Sequence, residues 1–326
     1  MVQQPPAETP AQAGPKTLKK FRFGAGSAPV DSPDKFAASC RHVESLGYDL
    51  LTFPDHVESE LGPIAAVTAS ALATTRIRIG TKVLANDFRH PAILARELAT
   101  IDMLSGGRLD IGIGAGGRKS DFDRTGLRYD ANGIRISRLM ESVAIIKGLL
   151  ANETFSYEGK FYRVEGAIGQ PRPVQKPHPP FVIGGGRQRI LSFAAREADI
   201  VSLNMDLSQG GRGPNASASM SDDKTLEKLN WVREAAGARM DQLELQIHLY
   251  GFAVAQNRSA AAAKMGQAWD LPMETILLSP HFLIGELDEV CDELERRRRD
   301  LGISMFTVSA GAIDDFAPVV ERLSGK

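Results

Sequence analysis

Cysteine is nearly absent from this chain. Only Cys40 and Cys291 occur in 326 residues, too few and too far apart for a disulfide scaffold or a cysteine-based zinc site. An excess of charge of one sign is also missing. Lys and Arg number 39 against 40 Asp and Glu, a formal net charge of −1, so there is no broad basic field to hold nucleic acid or an anionic membrane. No apolar run reaches the ~18 residues that mark a membrane span. Residues 1–20 lack the apolar core of a secretory signal. Their Pro, Ala and Gln read as a disordered tail ahead of the fold, and a cytoplasmic protein is expected. What remains is ordinary globular composition, 43% hydrophobic and 24% charged, in a chain long enough to bury a large core.

Strands and helices alternate along 21–326, which reads as a single domain. Apolar runs at 21–26, 50–55, 76–85, 108–116, 181–186, 199–204, 243–255 and 303–310 read as strands. Helical spacing follows each of them, as with Phe36, Cys40, Val43 and Leu46, where Asp31 or Ser32 can cap and Gly47 can stop the helix. Residues 154–166 look like a β-hairpin turning at Glu158-Gly159. Residues 205–222 are rich in Gly, Ser, Asn and Asp without periodicity, so they read as a lid or a disordered insertion. Most strands are apolar on both faces, as in a buried parallel sheet. Eight βα units predict a (β/α)8 barrel with insertions, with an open doubly wound sheet as the alternative.

In such barrels the chemistry sits at the C-terminal strand ends. Three features stand there. Asp55-His56 closes the second strand, and a histidine beside a carboxylate suits proton transfer; a histidine that merely holds a loop fits the pattern equally well. Gly112–Gly117 matches G-x-G-x-x-G, but no first-strand βαβ context exists and no helix is expected straight after it, against a dinucleotide turn. There, bare Gly114 and Gly116 could let a flat ring approach the backbone, or simply make tight turns. Gly184-Gly185-Gly186 runs from a strand straight into a helix, with Arg187 and Arg189 close by. That is a phosphate cradle, unless the glycines serve strand-to-helix geometry alone.

The other histidines look weaker, His248 because it reads as mid-strand. None has metal-ligand spacing, and neither G-x-S-x-G nor a Cys–His set points to hydrolysis. Arg296–Arg299 reads as a solvated helix face.

From Phe21 to Leu323 the chain resembles the luciferase-like flavin and deazaflavin oxidoreductases. FPDHV (53–57), the block 76–116, PPFVIGGG (179–186) and PHFLIGELDEV (280–290) carry the resemblance, the 76–116 block most specifically. It implies a TIM barrel with a ring cofactor across the strand ends and its phosphate at Gly184–Gly186. It also implies a non-proline cis peptide near Lys82-Val83-Leu84, supporting the ring from behind. By position, Asp55, Asn86, Gly114, Ala115, Gly116, Ile183 and Arg187 fall beside the cofactor as well. The Asp55-His56 pair resembles the branch that uses coenzyme F420, in which the matching histidine acts in proton transfer with Asp55 orienting it or bonding the cofactor. FMN with oxygen, in a monooxygenase, is the alternative; a non-catalytic cofactor binder is a third. Some sugar-phosphate dehydrogenases of the family carry a Glu where this chain has Gly117, which argues against their substrate here. The family also implies a homodimer and a small-molecule substrate.

Overall fold

The computed structural model describes residues 18–27, 30–59 and 61–326. Residues 1–17 of the expected tail lie outside them. Eight parallel strands form the centre: β1 (Arg22–Gly26), β2 (Leu50–Phe53), β3 (Arg78–Thr81), β4 (Leu109–Gly114), β5 (Phe181–Gly185), β6 (Ile200–Leu203), β7 (Glu244–His248) and β8 (Ile303–Val308). Each pairs with the next in chain order, and β8 returns to pair with β1. The sheet is therefore a closed barrel, and the open-sheet alternative falls. Every residue of β2, β4, β6 and β8 is buried, because the barrel interior takes one face and the helical ring the other.

The helix starts follow local chemistry. The Ser32 hydroxyl accepts from the Lys35 amide at 3.3 Å, capping the helix Pro33–Ser45, and Pro91 opens the helix Pro91–Leu104. Gly47, with φ +82, takes the chain out of the first helix.

The two ends of the barrel differ. At the N-terminal end, Arg22 donates to Glu244 at 2.6 Å and to Asp110 at 3.2 Å, and Arg78 donates to Asp110 at 2.8 Å. These side chains start β1, β3, β4 and β7, so a fully paired ion network seals the bottom. The opposite end receives the loops.

Several expectations shift here. The 76–85 strand is broken into β3 and a two-residue continuation, Leu84–Ala85, which pairs with the end of β4. The 243–255 strand is really two. β7 stops at His248, and Gly251–Val254 pairs instead with Phe282–Gly285 in a separate small sheet. His248 is thus a strand end at the mouth. Residues 205–222 carry a short helix, Pro214–Ala218, and bury Met205, Ala216 and Met220 against Ile276, Phe282 and Ile284. The hairpin forms as expected from Thr154–Glu158 and Arg163–Ile168.

The arginine run is not wholly solvated. Arg297 is 2% exposed and donates to the Pro280 and Phe282 carbonyls, both at 2.7 Å, and to Glu293 at 2.8 Å. It lies on the stripe of Val290, Leu294 and Leu301, so helical spacing already marked it as inward-facing. Arg297→Leu leaves those acceptors without a donor and should cost ~3 kcal/mol. Arg296→Leu at the exposed neighbour should change stability by no more than ~0.5 kcal/mol. Urea unfolding of the two variants checks the contrast.

Candidate functional site

The mouth is organised by the break in β3. The Lys82–Val83 peptide bond is cis, as the resemblance implies. The bulge brings the backbone against β4, and glycine is what permits it. A Cβ on Gly112 would stand 1.9 Å from the Thr81 carbonyl oxygen, and one on Gly114 would stand 2.9 Å from Val83 Cγ2. At Gly116, with φ +74, the Cβ direction is filled by Phe122 at 3.0 Å. The expectation that bare Gly114 and Gly116 admit a flat ring is therefore corrected. Their missing side chains make room for Val83 and Phe122, which are the chain's own groups.

Behind this strand end stands Arg135, 1% exposed. It donates to the Ala115 carbonyl at 3.1 Å, to the Gly116 carbonyl, and to the Tyr129 hydroxyl at 3.0 Å. Its guanidinium also stacks 4.1 Å from the Tyr129 ring centre. The Ala115–Gly116 turn is thus held rigidly by side chains that the sequence reading had not singled out.

Asp55 and His56 part company. The Asp55 carboxylate is 7% exposed and accepts from the Ala85 amide at 2.9 Å and from Arg89 at 2.6 and 3.2 Å. It ties β2 to the bulge and makes no hydrogen bond to His56 among the described residues. The imidazole is held instead by Asp121, whose Oδ2 lies 2.8 Å from His56 Nδ1 while its Oδ1 accepts from the Val57 amide at 3.1 Å. With Nδ1–H donating to Asp121, Nε2 is left as the acceptor. The ring is 31% exposed and its partner only 4%, so one side is fixed and the other is reachable. Asp121 sits on a helix, Lys119–Thr125, in a stretch expected to be irregular. That helix opens just after Gly117, closer than the sequence reading allowed, yet on a closed barrel it makes no dinucleotide turn.

The fifth strand end has two properties. Its glycines are pressed by protein: a Cβ on Gly184 would stand 2.5 Å from the Ser202 carbonyl, one on Gly185 2.3 Å from Ile190, and one on Gly186 2.5 Å from the backbone of Met205 and Asp206. Close approach alone accounts for the glycines. The helix Gln188–Glu197 nonetheless begins without a side-chain cap on Arg187, leaving its first-turn amides as free donors. Arg187 is largely exposed and reaches Ser208 at 3.1 Å and Asp206 at 3.7 Å. Ile183 is fully buried beneath the turn.

Nearer the bulge, Asn86 is 1% exposed. Its Nδ2 donates to Asp87 at 3.1 Å and to the Tyr162 hydroxyl at 3.3 Å, while its Oδ1 is a buried acceptor with no partner among the described residues. Leu84 is fully buried and Val83 partly so.

Residues 16–305 match the luciferase-like monooxygenase family. The chain belongs to that family. Its relatives include oxidoreductases. Among curated relatives, it is 30% identical over 240 residues to an F420-dependent glucose-6-phosphate dehydrogenase of Nakamurella multipartita, covering 70% of this chain and 66% of that one. It is 24% identical over 311 residues to the 5,10-methylenetetrahydromethanopterin reductase of Methanopyrus kandleri, covering 91% and 84%. It is also 30% identical over 138 residues to an FMNH2-dependent dimethylsulfone monooxygenase of Pseudomonas putida, covering 42% and 38%. The matched stretch is thus less than two thirds of the length of two of these relatives. The solved F420-dependent tetrahydromethanopterin reductase from Methanopyrus kandleri superposes with a TM-score of 0.74 at 20% identity, over 94% of this chain and 99% of that one.

Proposed function

We propose that the protein transfers hydride between coenzyme F420 and a small organic substrate bearing a carbonyl or an unsaturated C=C or C=N bond. The observation that carries this reading is the His56–Asp121 pair at the end of β2, one strand from the cis turn at Lys82–Val83. When bound, the deazaflavin supplies the hydride. His56 Nε2 holds or releases the accompanying proton, and Asp121 keeps the ring in one tautomer and orientation. Asp55, clamped by Arg89 and the Ala85 amide, fixes the bulge at Lys82, Val83 and Leu84 on which the ring would rest.

The residues present fit such a cofactor at two points. Asn86 Oδ1 is a buried acceptor awaiting a donor, which a ring N–H or a ribityl hydroxyl can supply. The uncapped helix after Gly184–Gly186, with Arg187 beside it, offers amide donors at a positive helix end for a phosphate. Residues 205–222 pack over this corner through Met205 and Asp206, and we assign them the part of a lid that excludes water. A homodimer is the proposed assembly.

A second reading is supported by the FMNH2-dependent relative: the same mouth would serve an FMN-dependent monooxygenase. Titration of the apo-protein with F420 and with FMN, followed by fluorescence and calorimetry, separates the two. The first reading expects tight, saturable F420 binding with FMN at least tenfold weaker, and the reverse order overturns it.

A further inference from the structure

Lys82 carries its side chain away from the bulge and into the centre of the mouth. β3 and β7 lie opposite one another in the closed ring. Yet Lys82 Nζ, from the end of β3, reaches His248 Nδ1 at the end of β7 at 2.6 Å and the Thr307 hydroxyl on β8 at 3.0 Å. The lysine stem therefore spans the barrel and forms the floor of whatever settles there. It is densely surrounded but keeps partial exposure, as does His248. A ligand in the mouth meets both.

The electrostatics of this floor are one-sided. Among the described residues, neither Lys82 nor His248 pairs with a carboxylate. Burial lowers the Lys82 ammonium from its usual range to about 7. Burial and the neighbouring Lys82 hold His248 well below the usual histidine value, with His281 and Arg212 acting in the same direction. Above His248, the Tyr250 ring stands edge-on at 4.7 Å, Trp269 lies 5.3 Å from Tyr250, and the Arg212 guanidinium sits 4.6 Å over Trp269. Arg212 and Arg118 both act on the Tyr250 hydroxyl. The two loops that carry them are joined, because the Lys119 amide donates to the Gly210 carbonyl at 2.9 Å. The Arg118 side chain makes no hydrogen bond or ion pair among the described residues. Lysine, two arginines, a tyrosine hydroxyl and a flat aromatic wall thus follow one another on this side of the mouth, and among the described residues no carboxylate is bonded to any of them. An unpaired buried cation is costly, and the natural remedy is an anion brought by a ligand.

We propose that the substrate is a planar organic anion, with its carboxylate or equivalent group on Lys82 Nζ and its flat body against Tyr250 and Trp269, under the field of Arg118 and Arg212. This deepens the reading above by naming a substrate class for the same mouth, and it rests on that reading for the reaction. The site is distinct from the glycine turn after β5, which takes the cofactor phosphate.

Benzoate and its neutral counterpart benzamide serve as probes, with calorimetry on the full chain. At pH 6.5 benzoate should bind at least tenfold more tightly than benzamide. Because the anion favours the charged amine, its Kd should rise by about tenfold per pH unit above 7, with proton uptake seen as a dependence of the heat on buffer. Lys82→Met should weaken benzoate at least tenfold, flatten the pH dependence, and leave benzamide unchanged. A merely structural lysine predicts a lower unfolding midpoint for that variant, whereas a lysine kept for a ligand predicts a higher one. The sign follows from linkage. With a folded pKa near 7 against 10.5 unfolded, the unfolded chain binds more protons between those values, so the penalty is full below about pH 7 and fades towards 10.5. The gain from Lys82→Met should follow that course. Arg212→Gln, on the exposed rim, removes the charge that sits over Trp269 and should weaken benzoate about threefold. Equal binding of benzoate and benzamide overturns the proposal. So does benzoate binding that survives Lys82→Met but is lost with Arg187→Gln or displaced by inorganic phosphate, since the anion then sits at the glycine turn. If benzoate behaves as expected and F420 fails to bind, the anion site stands and the hydride reading fails.

Discussion

Gly112→Ala should destabilise the protein by about 4 kcal/mol or more, among the largest effects that a single added methyl can have. The new Cβ would stand 1.9 Å from the Thr81 carbonyl oxygen and 2.9 Å from its carbonyl carbon. Both are main-chain atoms, so no side chain can swing aside. Thr81 is also fastened to that spot, because its hydroxyl donates to the Gly112 carbonyl at 2.7 Å and accepts from the Gly112 amide at 3.1 Å. Relief requires β3 and β4 to separate at the turn that carries Lys82. Gly62→Ala is the control, since nothing lies within 4 Å of its Cβ position and its φ of −68 suits any residue; as an N-cap it should lose no more than about 1 kcal/mol. Calorimetric unfolding of the two variants measures the difference. A midpoint for Gly112→Ala within a degree of the parent would show that the strand ends are not packed as described.

The barrel itself was readable because its signals are local. Apolar runs without alternation mark strands buried on both faces, and Ser32, Gly47 and Pro91 mark helix ends by their own backbone chemistry. The mouth was readable only in part. Glycines at 112, 114 and 116 stood out, but their reason lies in Thr81, Val83 and Phe122, which reach them only through tertiary contact. His248 is masked in the sequence because the apolar run continues through it, whereas its neighbours Leu249 and Tyr250 turn the chain towards a second sheet. Asp121 gives no periodic signal because its helix, Lys119–Thr125, is short and polar with one buried aromatic, Phe122. Lys82 was noticed for its backbone alone. Nothing in its neighbourhood along the chain tells that its amine crosses the barrel to His248 and Thr307. Arg297, in register with Val290, Leu294 and Leu301, and Arg135, one turn before Leu139, lie at helical spacings that already carry the information.

His56→Ala should lower turnover by ~10²–10⁴-fold while cofactor affinity changes little, the range expected when a positioned proton-transfer group is removed. The imidazole has one nitrogen committed to Asp121 at 2.8 Å, and Asp121 is held in turn by the Val57 amide at 3.1 Å. A side chain clamped on one edge and 31% exposed on the other is built to face a ligand rather than to fill a core. The competing account, a histidine that merely pins the loop after β2, is separated by Asp121→Asn. An amide can still bond the ring and the Val57 amide, so a pinning role survives that change with stability and turnover nearly intact. Proton transfer does not survive it so well, because Asn no longer favours the imidazolium that forms during the reaction, and a loss of ~10-fold or more is expected. Added imidazole should restore part of the His56→Ala activity by occupying the vacated space. Steady-state rates on a substrate drawn from a carbonyl and alkene panel, with cofactor occupancy checked by fluorescence, make the measurement. Full turnover in His56→Ala with the cofactor bound would remove the histidine from the chemistry and leave Lys82 as the mouth's remaining proton-bearing group poised near neutral pH.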